Sequence, residues 1–85
     1  MKNFTYTVTD PMGLHARPAG LLVKEARKYQ AEIVLSFGEK SVQANRLMAL
    51  MSMGCKCGDT LSVSVSGEDE ERTARELAEF FRQNL

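Results

Sequence analysis

In the stretch DTLSVSVSG, residues 59–67, every second residue through the middle is apolar. Leu61, Val63 and Val65 alternate with Ser62, Ser64 and Ser66. Successive side chains of a strand point to opposite faces, so this segment reads as a strand with one dry face and one wet face. Such a strand commits the chain to a sheet that is covered on one side only. Two more segments keep the same period. Residues 3–9 set Phe4, Tyr6 and Val8 against Thr5, Thr7 and Thr9, and residues 31–37 put Ile33, Leu35 and Phe37 on one face. FGEKS then supplies a glycine-containing turn, and KSVQA, residues 40–44, a short returning strand.

Between the strands the apolar spacing lengthens to three and four residues. Over residues 16–28 the stripe is Ala19, Leu22, Val23 and Ala26; over 69–84 it is Ala74, Leu77, Ala78 and Phe81. Both spacings predict amphipathic helices. Glu68, Asp69, Glu70 and Glu71 crowd the start of the second, where the helix dipole favours negative charge. NRLMALMSMG, residues 45–54, predicts a short helix between them, with Asn45 as N-cap and Gly54 as its stop. The order is β-α-β-β-α-β-α. Helices with one apolar stripe must cover the apolar face of a half-wet sheet, which gives a two-layer α+β fold with a mainly antiparallel sheet. With 85 residues and no repeat or linker, one domain over 1–85 is expected.

Composition narrows the function. Eleven basic and eleven acidic residues leave a formal net charge of zero, far from the positive footprint of a nucleic-acid binder. No apolar run has the length of a membrane span, and MKNFTYTVTD lacks the apolar core of a signal peptide. A cytoplasmic protein without membrane insertion is expected. Cys55 and Cys57 are one residue apart. A disulfide between them would close a trivial ring, and they supply only two of the four ligands that a structural zinc needs. Two reduced thiols are expected, with no metal and no organic cofactor.

The chemistry concentrates in GLHARPAG, residues 13–20, which holds the only histidine. If a helix starts at Ala16, His15 is its N-cap and Pro18 lies in the first turn, where a missing N–H costs nothing. The amides of Ala16 and Arg17 are then free donors beside the imidazole. Arg17 adds a guanidinium fork that matches phosphate oxygens. Gly13 lets the loop bend close to the ring. An imidazole ordinarily titrates near pH ~6.5, so at neutral pH it can act as a nucleophile. The octapeptide contains no carboxylate to orient the ring and no serine or cysteine for it to activate. Phosphoryl acceptance is favoured over hydrolysis. The plainer reading is that His15 merely caps the helix or sits on the surface.

GLHARPAGLLV resembles the active-site signature of the HPr family, the small histidine phosphocarriers of the phosphoenolpyruvate-dependent sugar phosphotransferase system. The resemblance runs through KYQAEIVLSFGEKSVQANRLMALMSMGCKCGDTLSVSVSGEDE to the final helix. It implies an open-faced β-sandwich of four antiparallel strands with three helices on one side. It implies that His15 accepts a phosphoryl group on Nδ1 from phosphorylated enzyme I and passes it to the IIA component of a sugar permease. Arg17 and Pro18 match the family's arginine and proline. The protein would carry the group without turning over a small molecule, as a monomer.

The resemblance also implies docking through the active-site region and the short second helix, where Leu47, Met48 and Met51 match the family's apolar patch. Met48 and Met51, three apart, share a helix face, and methionine suits a surface that must fit several partners. Core packing is the competing role for these side chains; here it is assigned to Leu50. Two departures stand out. Many family members begin the second helix with a regulatory serine, and this chain has Arg46 there, which cannot be phosphorylated. Control by a serine kinase is therefore expected to be absent. Some members have a polar residue at Met12 that orders the loop. Methionine cannot, which predicts a different loop geometry or phosphohistidine lifetime. An HPr-like regulatory binding module, or a paralogue serving a nitrogen-related branch, is the alternative function.

Overall fold

The structure, a computed structural model, describes residues 1–85. Its elements are β1 (Lys2–Thr7), α1 (Ala16–Ala26), β2 (Glu32–Phe37), β3 (Lys40–Gln43), α2 (Leu47–Met51), β4 (Thr60–Ser66) and α3 (Glu70–Asn84). The strands form one sheet in the order β1-β4-β2-β3, and every neighbouring pair is antiparallel. The fold is an α+β open-faced sandwich, with the three helices on one face of the sheet.

The alternating strand took the place its pattern demands. β4 lies between β1 and β2, and Leu61, Val63 and Val65 are fully buried. Val63 is paired with Phe4 on one side and Leu35 on the other. Phe81 of α3 drops onto this dry face and meets Phe4 and Tyr6 edge-on, with ring centroids 5.8 and 5.5 Å apart. Such edge contacts suit the ring quadrupoles. On the wet face the hydroxyls pair across strands. Thr7 and Thr60 are 2.9 Å apart, Ser36 and Ser41 2.9 Å, and Ser64 donates to Asn3 at 2.8 Å.

The differences from the sequence reading that exceed one residue each have a local reason. β1 stops at Thr7 rather than 9, because the amides of Thr9 and Asp10 turn to the Leu85 carbonyl at 2.7 and 2.8 Å. α1 ends at Ala26, two residues short of the expected 28, and Arg27 is its C-cap. Asn45 is not the cap of α2. Ala44 still donates to Ile33 and Arg46 closes a turn onto Gln43, so the helix begins at Leu47 with Arg46 as its N-cap and no side-chain cap bond. α2 also ends early, at Met51; Met53 is buried beyond it, and Gly54 makes the reversal at φ +73°. In α3 the buried stripe is Thr73, Leu77 and Phe81, spaced by four, while Ala74 and Ala78 lie half-buried beside it.

The topology decides where chemistry can sit. β1 ends and β4 begins at the same end of the sheet, since Thr7 is paired with Thr60. The loop that leaves β1, the loop that enters β4 and the end of α3 therefore converge. Val8 donates to Asp59, Gly58 donates to Val8, and Leu85 accepts from Thr9 and Asp10.

Candidate functional site

The loop before α1 is held from below. Leu14 is buried and donates to the Cys55 carbonyl at 3.0 Å. Gly13 lies between them at φ +69°, and a Cβ there would stand 2.5 Å from the Cys55 oxygen and 2.8 Å from Lys56 Cα. Only glycine combines that backbone with that approach.

His15 follows as the N-cap of α1, with extended backbone (φ −103°, ψ −171°). Its carbonyl accepts from Ala19 at 3.0 Å, the first bond of the helix. The ring makes no capping hydrogen bond, and its side chain is 30% exposed. Ala16 and Arg17 are exposed, and their amides have no carbonyl a turn behind them to bond. Pro18, the third helical residue, is buried and has no N–H to satisfy. Two unbonded amides and the positive end of an eleven-residue helix thus stand next to His15 in the chain. Arg17 forms no ion pair with any acidic side chain.

A carboxylate from outside GLHARPAG does approach the ring. Asp10 Oδ2 lies 3.7 Å from His15 Nε2. Its other oxygen, Oδ1, accepts from the Met12 amide at 2.9 Å, and its carbonyl accepts from Gly13 at 2.9 Å. Loop order thus comes from Asp10, not from the exposed side chain of Met12. Aspartate before proline at the end of a strand is a legible turn signal. That the turn would carry the carboxylate back to the histidine was not legible. Asp10, Arg17 and Pro18 line an open cleft of about 240 Å³ with Leu21, Gln83 and Asn84.

Of the α2 residues, Met48 is 76% exposed, Leu47 and Met51 are also exposed, and Leu50 is fully buried. Arg46 is exposed at the head of this helix. Both thiols are free. Cys55 is buried, while Cys57 is exposed with its Sγ 3.7 Å from the Thr9 carbonyl. Burial, and then the Asp59 carboxylate, push the Cys55 pKa up. A thiol reagent added to native protein is expected to label Cys57 alone, with Cys55 reacting only on unfolding; rapid labelling of both would contradict the burial of Cys55. No group of three or more histidine, cysteine or carboxylate side chains is gathered that could hold a metal ion, and no helix is long and apolar enough to cross a membrane.

A half-covered sheet that presents one imidazole beside unbonded amides at a helix start is the arrangement expected of a small protein with an anion-binding histidine site. The family model described as PTS HPr component phosphorylation site matches residues 2–83. The chain belongs to the HPr family, the phosphocarriers of the phosphotransferase system. It is 39% identical over 71 residues to the phosphocarrier protein HPr of Buchnera aphidicola subsp. Acyrthosiphon pisum, covering 84% of each chain. The crystal structure of HPr-C-His from Thermoanaerobacter tengcongensis superposes with a TM-score of 0.92 at 34% identity, covering 99% of this chain and 94% of that one. A structure described as an HPr dimer from the same organism matches with a TM-score of 0.75 at 35% identity, over 98% of this chain and 95% of that one.

Proposed function

We propose that His15 accepts a phosphoryl group on Nδ1 from phosphorylated enzyme I and donates it to the IIA components of sugar permeases. The observation that carries this reading is the pair of unbonded amides, Ala16 and Arg17, beside an imidazole that caps nothing. Phosphate oxygens on the ring would take those amides and the Arg17 fork as donors. Pro18 fixes the first turn, so the amides are aimed before the phosphoryl group arrives. His15 lines none of the clefts on the surface. A small-molecule substrate is usually enclosed, whereas an open imidazole suits exchange between proteins. The protein is a carrier rather than an enzyme with turnover of its own, and it works as a cytoplasmic monomer.

Leu47, Met48 and Met51 are the docking patch for both partners. Exposed methionines adapt to unlike surfaces, because the thioether chain repacks at little cost. Arg46 replaces a regulatory hydroxyl with a fixed positive charge beside this patch, and the serine switch is absent.

The test is a relay. With phosphoenolpyruvate and enzyme I present, an acid-labile label should reach a IIA domain only when this chain is added. Label that passes no further than enzyme I, while a control carrier completes the relay, would reject the carrier role in favour of a regulatory binding module.

A further inference from the structure

Asp10 is held by two backbone hydrogen bonds and one to its carboxylate, and the second carboxylate oxygen remains for the ring. The Asp10 amide donates to Leu85, its carbonyl accepts from Gly13, and Oδ1 accepts from Met12. Oδ2 makes no hydrogen bond and faces His15 Nε2 at 3.7 Å. The two side chains are partly screened from water, at 30% and 26% exposed. Arg17 is the one cation that lines the cleft with Asp10. A carboxylate beside one ring nitrogen favours the tautomer with its proton on that nitrogen.

From this geometry we propose that Asp10 is a positioning residue for phosphoryl transfer, holding the neutral His15 ring in its Nε2–H form with Nδ1 free to attack. The proposal rests on the carrier reading above and deepens it. In the step itself, the Nδ1 lone pair forms the new bond to phosphorus. The bond from phosphorus to the donor breaks, and its electron pair leaves with the donor. Nε2 keeps its proton throughout, so positive charge develops on the ring as the lone pair is drawn into the new bond. That charge develops facing a carboxylate that is already in place and needs no rearrangement to meet it. The reverse flow, when an acceptor takes the phosphoryl group, leaves the same Nε2–H tautomer ready for the next cycle.

Asp10→Asn separates the charge from the turn. The asparagine oxygen can still accept from Met12, so the loop is kept while the carboxylate charge is lost. Two readouts are needed: the tautomer balance of His15 by nitrogen-15 NMR on the free protein with its ring neutral, and the rate of phosphorylation by phosphoenolpyruvate and enzyme I. The expected result is a native spectrum for Met12 and Gly13, a shift of the ring away from Nε2–H, and uptake slowed about tenfold. Asp10→Glu, which restores the charge, should recover part of the rate. An Asp10→Asn protein with the wild-type tautomer balance would overturn the proposal, whatever its rate. So would an unchanged rate. Failure of the wild-type protein to take label would reject the carrier reading instead, and the tautomer measurement would still decide the role of Asp10.

Discussion

His15→Ala is expected to abolish phosphoryl uptake and to leave the protein folded. The loss is complete because no other imidazole exists in the chain. The fold survives because the ring makes no cap bond, and the helix begins on the His15 carbonyl, which alanine also provides. The stability change should stay within about 0.5 kcal/mol, as for a surface site without a special contact. Arg17→Ala should behave differently. A charged hydrogen bond contributes about 1.5–3 kcal/mol, so transfer should slow about tenfold to a hundredfold while the amides keep some hold on the phosphate. Thermal melts with labelling by phosphoenolpyruvate and enzyme I check both variants. Residual acid-labile label in His15→Ala, or an unfolded Arg17→Ala, would contradict these roles.

Gly13→Ala should damage both fold and transfer although it touches no reacting atom. A left-handed backbone costs an alanine about 1–2 kcal/mol. The new Cβ would also meet the Cys55 carbonyl and Lys56 Cα, which are backbone atoms with no rotamer to yield. Forced contacts of this kind cost about 1–3 kcal/mol more. The loop can relieve them only by lifting, which breaks the Leu14 bond to Cys55 and moves His15 with it. Two other glycines isolate the terms. Gly38 has φ +61° but open space, so Gly38→Ala should lose the backbone part alone. Gly20 lies inside α1 with nothing within 4 Å, and Gly20→Ala should stabilise by about 0.5–1 kcal/mol. Denaturant melts of the three variants give the ranking; equal losses at Gly13 and Gly38 would show that the close approach is not real.

Much of this was legible because one physical rule decides it. Ser-Val alternation fixes which way β4 faces, and spacing by three and four fixes the stripes of α1 and α3. Those patterns need no knowledge of the partner element. Boundaries were harder, because they depend on bonds to distant backbone. β1 ends where Thr9 and Asp10 turn to Leu85, seventy-odd residues later in the chain. Asn45 has the chemistry of a cap, but a turn onto Gln43 took it out of position. Local sequence placed His15, Arg17 and Pro18 together at the start of α1, because they share one helical turn. Asp10 escaped because its contact with the ring passes through a folded loop. Thr73 escaped for another reason: a polar residue type concealed a buried position in an otherwise regular stripe.

The central claim is that His15 carries phosphate on Nδ1, beside the free amides of Ala16 and Arg17. The most direct measurement is NMR of nitrogen-15-labelled protein after incubation with phosphoenolpyruvate and enzyme I. The account predicts a phosphoramidate phosphorus coupled to Nδ1 of His15, with the Ala16 and Arg17 amides shifted on phosphorylation and unshifted in His15→Ala. A phosphorus signal on Nε2 or on a side-chain oxygen, or no signal while a control carrier is phosphorylated, would contradict it.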